Sequence, residues 1–157
     1  MPRTSYAVAL GSNRRTRFGS PAATLRAAAA NLEFTSMSRI RATPALGPAG
    51  RSFANAVARI DTELDPDALL RRLKALERAF GRRAGRRWGP RPLDLDIILW
   101  SEGCYVGRAL VIPHPAFRER SFVLHPLAEI LPDWRDPVTG RSVRHLAALT
   151  RFPRATT

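Results

Sequence analysis

The sequence predicts an α+β fold in which helices flank a mainly antiparallel sheet, and three observations carry that prediction. Short apolar runs closed by Gly, Asn or Pro alternate with two helical segments. The second of these repeats apolar residues at helical spacing, and residues 93–100 alternate with the period of a strand. In order, Tyr6 to Leu10 is an apolar strand that enters the turn Gly11-Ser12-Asn13. Ser20 offers an N-cap, Pro21 the first helical position, and the Ala-rich stretch continues to about Leu32. Phe34 to Arg41 is extended in character, Thr43 to Pro48 is a loop, and Phe53 to Thr62 is another strand. Asp65 caps the clearest helix, with Pro66 in its first turn, Leu69, Leu73, Leu76 and Phe80 on its apolar stripe, and Gly81 as its stop. Leu93 to Trp100 follows as a strand whose residues Leu93, Leu95, Ile97 and Leu99 are expected on one face. Val106 to Ile112 is a further strand candidate, and Pro126 to Leu131 and Ser142 to Leu149 are short helix candidates.

Composition narrows the chemistry. With 157 residues, 45% of them hydrophobic, the chain is sized for one domain, read as residues 1–157. Lys74 is the only lysine and is followed by Ala75, which excludes a GxxxxGK[ST] phosphate loop, and no two glycines stand two apart, which excludes GxGxxG. Cys104 stands alone, so neither an internal disulfide nor a cysteine zinc cluster can form. The N-terminal apolar run is too short for a signal peptide and no stretch reaches the length of a membrane span, so a cytoplasmic protein is expected.

The formal charge is +13, and it is unevenly spread. Residues 1–59 carry nine basic and one acidic residue, residues 82–91 carry five arginines and no acid, and the rest is near balance. Such an excess suits a polyanion, whether nucleic acid, acidic lipid or a small phosphorylated molecule.

Directly after the basic decapeptide, Asp94 and Asp96 flank Leu95 on the strand, which places both carboxylates on one face with Cα atoms ~6.6 Å apart. In isolation, Asp-x-Asp is more often a solvated strand edge than a site. Here Arg86, Arg87, Trp88, Gly89, Pro90 and Arg91 precede it. Magnesium is commonly held by one or two carboxylates together with substrate phosphates, Arg grips phosphate in a bidentate fork, and Trp stacks on heterocycles. A solvated basic loop with Trp88 packed for stability satisfies the same spacing.

The stretch RWGPRPLDLDII resembles the signature of the 6-hydroxymethyl-7,8-dihydropterin pyrophosphokinase family, which moves a pyrophosphoryl group from ATP to a pterin alcohol in the folate pathway. YAVALGSN, RATPALGP, FANAV and IPHPAFRERSFVLHPLAEI resemble further blocks of that family, in the family's order from about residue 5 to residue 150. With it the fold expectation narrows to a ferredoxin-like α/β sandwich. The resemblance implies that Asp94 and Asp96 bind two Mg2+ ions that bridge to the ATP phosphates, with Arg82 and Arg91 joining them as catalytic residues. It implies a pterin pocket lined by Thr43, Pro44, Leu46, Phe53, Asn55, Trp88 and Phe122. Arg82, Arg91, Ile97, His114 and Arg120 would then lie on the ATP side, with Val111 giving backbone contacts to the base. For Phe53 and Phe122 the plain alternative is core packing, for Asn55 a strand residue facing water, and for His114 a structural residue in a rigid Pro-His-Pro turn. His125, His145 and Cys104 have no motif around them.

Departures from the family pattern are the longer Arg14 to Ser20 loop, Lys74, Pro115, and a short 82–88 stretch in which Arg83, Arg86 and Arg87 compete for one catalytic place. The partners expected are small molecules, met by a monomer without specific nucleic acid or membrane. Two rivals stay open: a small RNA-binding module, whose affinity would fall steeply with salt, and a nucleotide enzyme that makes ADP.

Overall fold

The computed structural model describes residues 2–43, 53–81 and 92–150. Its centre is β1 (Thr4–Ser12), which pairs antiparallel with β4 (Phe53–Thr62) on one side and β5 (Asp94–Trp100) on the other. Beyond β4 lie β2 (Phe34–Met37) and β3 (Arg41–Thr43), both antiparallel to it, so the order is β2-β4-β1-β5 with β3 also beside β4. The expected extended run from Phe34 to Arg41 is therefore two strands. At the break between them Ser38 bonds Val57 twice, its amide donating to the Val57 carbonyl at 2.9 Å and its hydroxyl accepting the Val57 amide at 2.9 Å.

The helices form for local reasons. In α1 (Pro21–Ala30) the Ser20 hydroxyl accepts the Ala23 amide, and in α2 (Pro66–Ala79) an Asp65 carboxylate oxygen accepts the Ala68 amide at 2.8 Å. Gly81, at φ +101°, ends α2 where an L side chain would be strained. Both helices cover one face of the sheet, where Leu25, Leu69 and Leu73 meet Tyr6, Val8, Leu10, Leu95 and Ile97 in the first core.

The opposite face carries a second core. Ala7, Val57, Ile98 and Leu99 pack there against Phe117, α3 (Ser121–Ile130) and α4 (Val143–Leu149). Leu99 was expected beside Leu95 and Ile97 and is not. The β1–β5 register runs Val8 to Ile97 and then Ala7 to Leu99, leaving Ile98 without a partner, and this one-residue bulge turns Leu99 to the other side.

Two further expectations change. Val106 to Ile112 is a small hairpin of β6 (Tyr105–Val106) and β7 (Val111–Ile112), not one strand. Helix α3 begins at Ser121, five residues before Pro126, which sits inside it. A proline there deprives the Phe122 carbonyl of its helical donor, but Val123, Leu124 and Leu127 bury their side chains and hold the turn. Helix α4 starts as expected, the Ser142 hydroxyl accepting the His145 amide. Among the described residues no helix is long and apolar enough to cross a membrane.

Candidate active site

The site lies at the end of the sheet where β1 and β3 finish and β4 and β5 begin. There the register sets Arg41 beside Asn55, Asn55 beside Gly11, and Gly11 beside Asp94. Val57, Ala9 and Asp96 form a neighbouring row. With strands ~4.8 Å apart, the Asn55 and Asp94 backbones are separated by about 10 Å, with only a glycine between them. A Cβ on Gly11 would stand 3.3 Å from Asn55 Oδ1, so the amide leans over the space that the glycine leaves open. Asn55 is thus half-buried against its neighbour strand and does not simply face water.

Asp94 and Asp96 are both half-buried, on the face opposite Leu95 and Ile97. One turn of chain meets them. The His114 amide donates to the carbonyl of Ile98, the bulged residue, at 3.0 Å, which ties the Pro-His-Pro turn to β5. The His114 ring feels its surroundings strongly. Burial pushes its pKa down, Asp96 pushes it up, Arg120 down and Asp94 up, and the net is a value below the ordinary imidazole range. The ring is therefore neutral near pH 7. Its Nδ1 accepts the Ala116 amide at 3.1 Å, which leaves the proton on Nε2 as a donor. Arg120 precedes α3, with its guanidinium carbon 5.7 Å from the Phe122 ring centre.

Phe53 and Phe122 are 47% and 46% exposed, so neither is a core residue. Rings left this open are available to stack on another flat group. Val111 is exposed on β7, and Thr43 closes β3 opposite Phe53. Ile97 is 2% exposed and its side chain enters the first core, so only its backbone is available to a ligand. Pro44, Leu46, Arg82, Arg83, Arg86, Arg87, Trp88 and Arg91 lie outside the described residues. Of the other residues singled out, Lys74, Pro115, His145 and Cys104 are exposed, and His125 Nε2 bonds the Thr150 carbonyl oxygen at 2.9 Å. Arg14, Arg15 and Arg17 are exposed as well, and Phe18 stacks on Phe80 at 4.6 Å, pinning their loop to the end of α2.

Several residues that shape the site have no motif in the sequence. Asp136 is fully buried and accepts bonds from Arg118, Thr139 and the Val138 amide. Burial pushes its pKa up, but those bonds, led by Arg118, outweigh it and hold the value down at about 2. Arg118 lies between His114 and Arg120 in the chain, so this clamp braces that wall. Glu129 on α3 likewise bonds Arg39 and Arg41, joining the helix to the β2–β3 connection. Glu77, on the stripe of α2 between Leu73 and Phe80, is 5% exposed and accepts the Leu95 amide at 2.8 Å. Its only signal in the sequence is a carboxylate at an apolar position.

Among the described residues no group of three or more His, Cys, Asp or Glu side chains is arranged to hold a metal ion. Two carboxylates are an incomplete but hard oxygen set, fitted to a cation that keeps waters and takes the rest of its ligands from substrate phosphates.

The family model for 7,8-dihydro-6-hydroxymethylpterin-pyrophosphokinase matches residues 7–132. A protein of Methylorubrum extorquens named 2-amino-4-hydroxy-6-hydroxymethyldihydropteridine pyrophosphokinase is 41% identical over 146 residues, 88% of this chain and 89% of its own length. Those of Haemophilus influenzae (41% over 133 residues, 83% of this chain and 82% of its own) and Synechocystis sp. (43% over 102 residues, 65% and 52%) bear the same name. A crystal structure of an HPPK-DHPS in complex with substrates superposes on 95% of this chain and 45% of its own, with a TM-score of 0.73 at 12% identity, which is a likeness of fold. Motif order, fold and relatives of this length agree: the chain belongs to the 7,8-dihydro-6-hydroxymethylpterin-pyrophosphokinase family, enzymes of folate biosynthesis.

Proposed function

We propose that this end of the sheet transfers the pyrophosphoryl group of ATP to the hydroxymethyl oxygen of 6-hydroxymethyl-7,8-dihydropterin, releasing AMP and the pterin pyrophosphate. The observation that carries the reading is the row in which Gly11 separates Asn55 from Asp94. It sets a donor-and-acceptor amide suited to a pterin edge about 10 Å from a carboxylate pair suited to a metal triphosphate.

In this reading Asn55 bonds the pterin edge while Phe53 and Phe122 flank the ring, helped by Thr43, Pro44, Leu46 and Trp88. Asp94 and Asp96 would hold Mg2+, two ions being expected, which when bound offsets phosphate charge and aligns the attacking and leaving oxygens. His114 donates from Nε2 to a phosphate oxygen without adding a positive charge of its own, and Arg120 supplies that charge beside it. Arg82 and Arg91 would meet the transferred group, and the backbones of Ile97 and Val111 the base. Reaction of this kind needs positioning and charge neutralisation more than a covalent nucleophile.

The strand order β2-β4-β1-β5, with α1 and α2 on one face, supports a ferredoxin-like sandwich. The same reading takes the chain as one pyrophosphokinase domain, monomeric and cytoplasmic. One incubation with ATP, Mg2+ and the hydroxymethyldihydropterin tests it. AMP is the expected product, ADP would indicate simple phosphorylation, and neither product would leave a binding module.

A further inference from the structure

Glu77 is a buried carboxylate that the proposed reaction does not use. It lies four residues after Leu73 and three before Phe80, on the stripe of α2 that faces the first core, where an ionised group is costly to bury unless its oxygens are bonded. One bond is to the backbone amide of Leu95, at 2.8 Å. Leu95 is the residue between Asp94 and Asp96, and among the described residues β5 has a strand neighbour only on its β1 side. The Leu95 amide points away from β1, and where a further strand would stand it meets the carboxylate.

We propose that Glu77 is a positioning residue for the two aspartates: its bond to the Leu95 amide fixes the edge of β5 that faces away from β1, and with it the spacing and direction of the Asp94 and Asp96 carboxylates. This rests on reading those aspartates as ligands of a cation and a triphosphate. A strand held by a ladder on one side alone twists about its axis more readily than one held on both, and such a twist would carry the Asp94 and Asp96 carboxylates with it. Groups that orient metal ligands typically change metal affinity by about 10- to 100-fold when removed.

The test uses the full chain with Mn2+ as probe and a non-hydrolysable ATP analogue, free Mn2+ being followed by electron paramagnetic resonance. Thermal unfolding and the exchange rate of the Leu95 amide are measured alongside. Glu77→Met keeps the volume and removes the acceptor, and it should weaken Mn2+ uptake about tenfold or more and speed Leu95 exchange. Glu77→Gln keeps an acceptor oxygen at the same reach and should recover affinity to within about threefold of the wild type. If Glu77→Met does not fold, Glu77→Asp, which keeps the charge and withdraws it by one methylene, is read instead with the same loss expected. A folded Met or Asp variant that binds Mn2+ as the wild type does overturns the positioning role alone. A wild-type chain that takes up no Mn2+ with the nucleotide overturns the aspartate reading, and this proposal with it.

Discussion

The two faces of the central sheet are built to different ends. Under α1 and α2 the face is apolar from Tyr6 through Leu10 and from Leu93 through Ile97, with Glu77 as a buried carboxylate among the helix residues that cover it. Under α3 and α4 it is apolar only at one end, around Val57, Ile98 and Leu99. At its other end it presents Asn55, Asp94 and Asp96, and its walls are braced by the Arg118–Asp136 and Arg39–Glu129 pairs. A continuous core supplies stability in bulk, and the broken face uses directional bonds to hold polar groups where a ligand can reach them. The bulge at Ile98 is the joint between these designs, since it adds Leu99 to the second core and offers a carbonyl to the His114 turn.

Removing a carboxylate from the broken face should separate function from stability most sharply. Asp96→Ala is expected to lower AMP formation by about 10³-fold, ~4 kcal/mol of transition-state stabilisation, with an unchanged unfolding midpoint. Asp94→Ala should behave alike, and substantial turnover in either variant would end the metal-site reading. The opposite result is expected on the continuous face. Leu25 is fully buried there, so Leu25→Ala should cost ~3 kcal/mol in denaturant unfolding while turnover per folded molecule stays at the wild-type value.

The polar bracing has its own signature in acid. The folded-state pKa of Asp136, about 2, lies below its ordinary value of 3.8, so its contribution is present above about pH 4 and fades as pH falls toward 2. Asp136→Asn should therefore be less stable than the wild type by about 2 kcal/mol at pH 7, with the gap closing near pH 2. A gap independent of pH would show that packing, not charge, fixes that segment. The smallest effect is sought at the joint of the binding row. Gly11→Ala crowds Asn55 Oδ1 and should raise the pterin KM by about fivefold, ~1 kcal/mol, with kcat little changed. An unaltered KM would remove Asn55 from the pterin edge.

What could be read from the chain beforehand depended on distance along it. The starts at Ser20-Pro21, Asp65-Pro66 and Ser142 were legible because a cap is a bond between residues three apart. The Asp-x-Asp pair was legible because strand period places i and i+2 on one face. The start of α3 was not, because the rule that favours proline in a first turn yields where Val123, Leu124 and Leu127 have a core to enter. The face of Leu99 was not either, since the bulge that moves it is defined by register with β1, some ninety residues earlier in the chain.

By itself, then, the sequence determined the strands and capped helices, the carboxylate pair with its preceding arginines, and the family those blocks resemble. Each of these rests on interactions or patterns local to a few residues. Only the tertiary structure decided that Gly11 lies between Asn55 and Asp94, that His114 is neutral beside Asp96 and Arg120, that Phe53 and Phe122 stay open, and that Glu77 reaches the amide between the two aspartates. The physical reason is common to all four. Register, burial and the field at a charged group are sums over neighbours brought together by folding, and most of those neighbours lie far away along the chain.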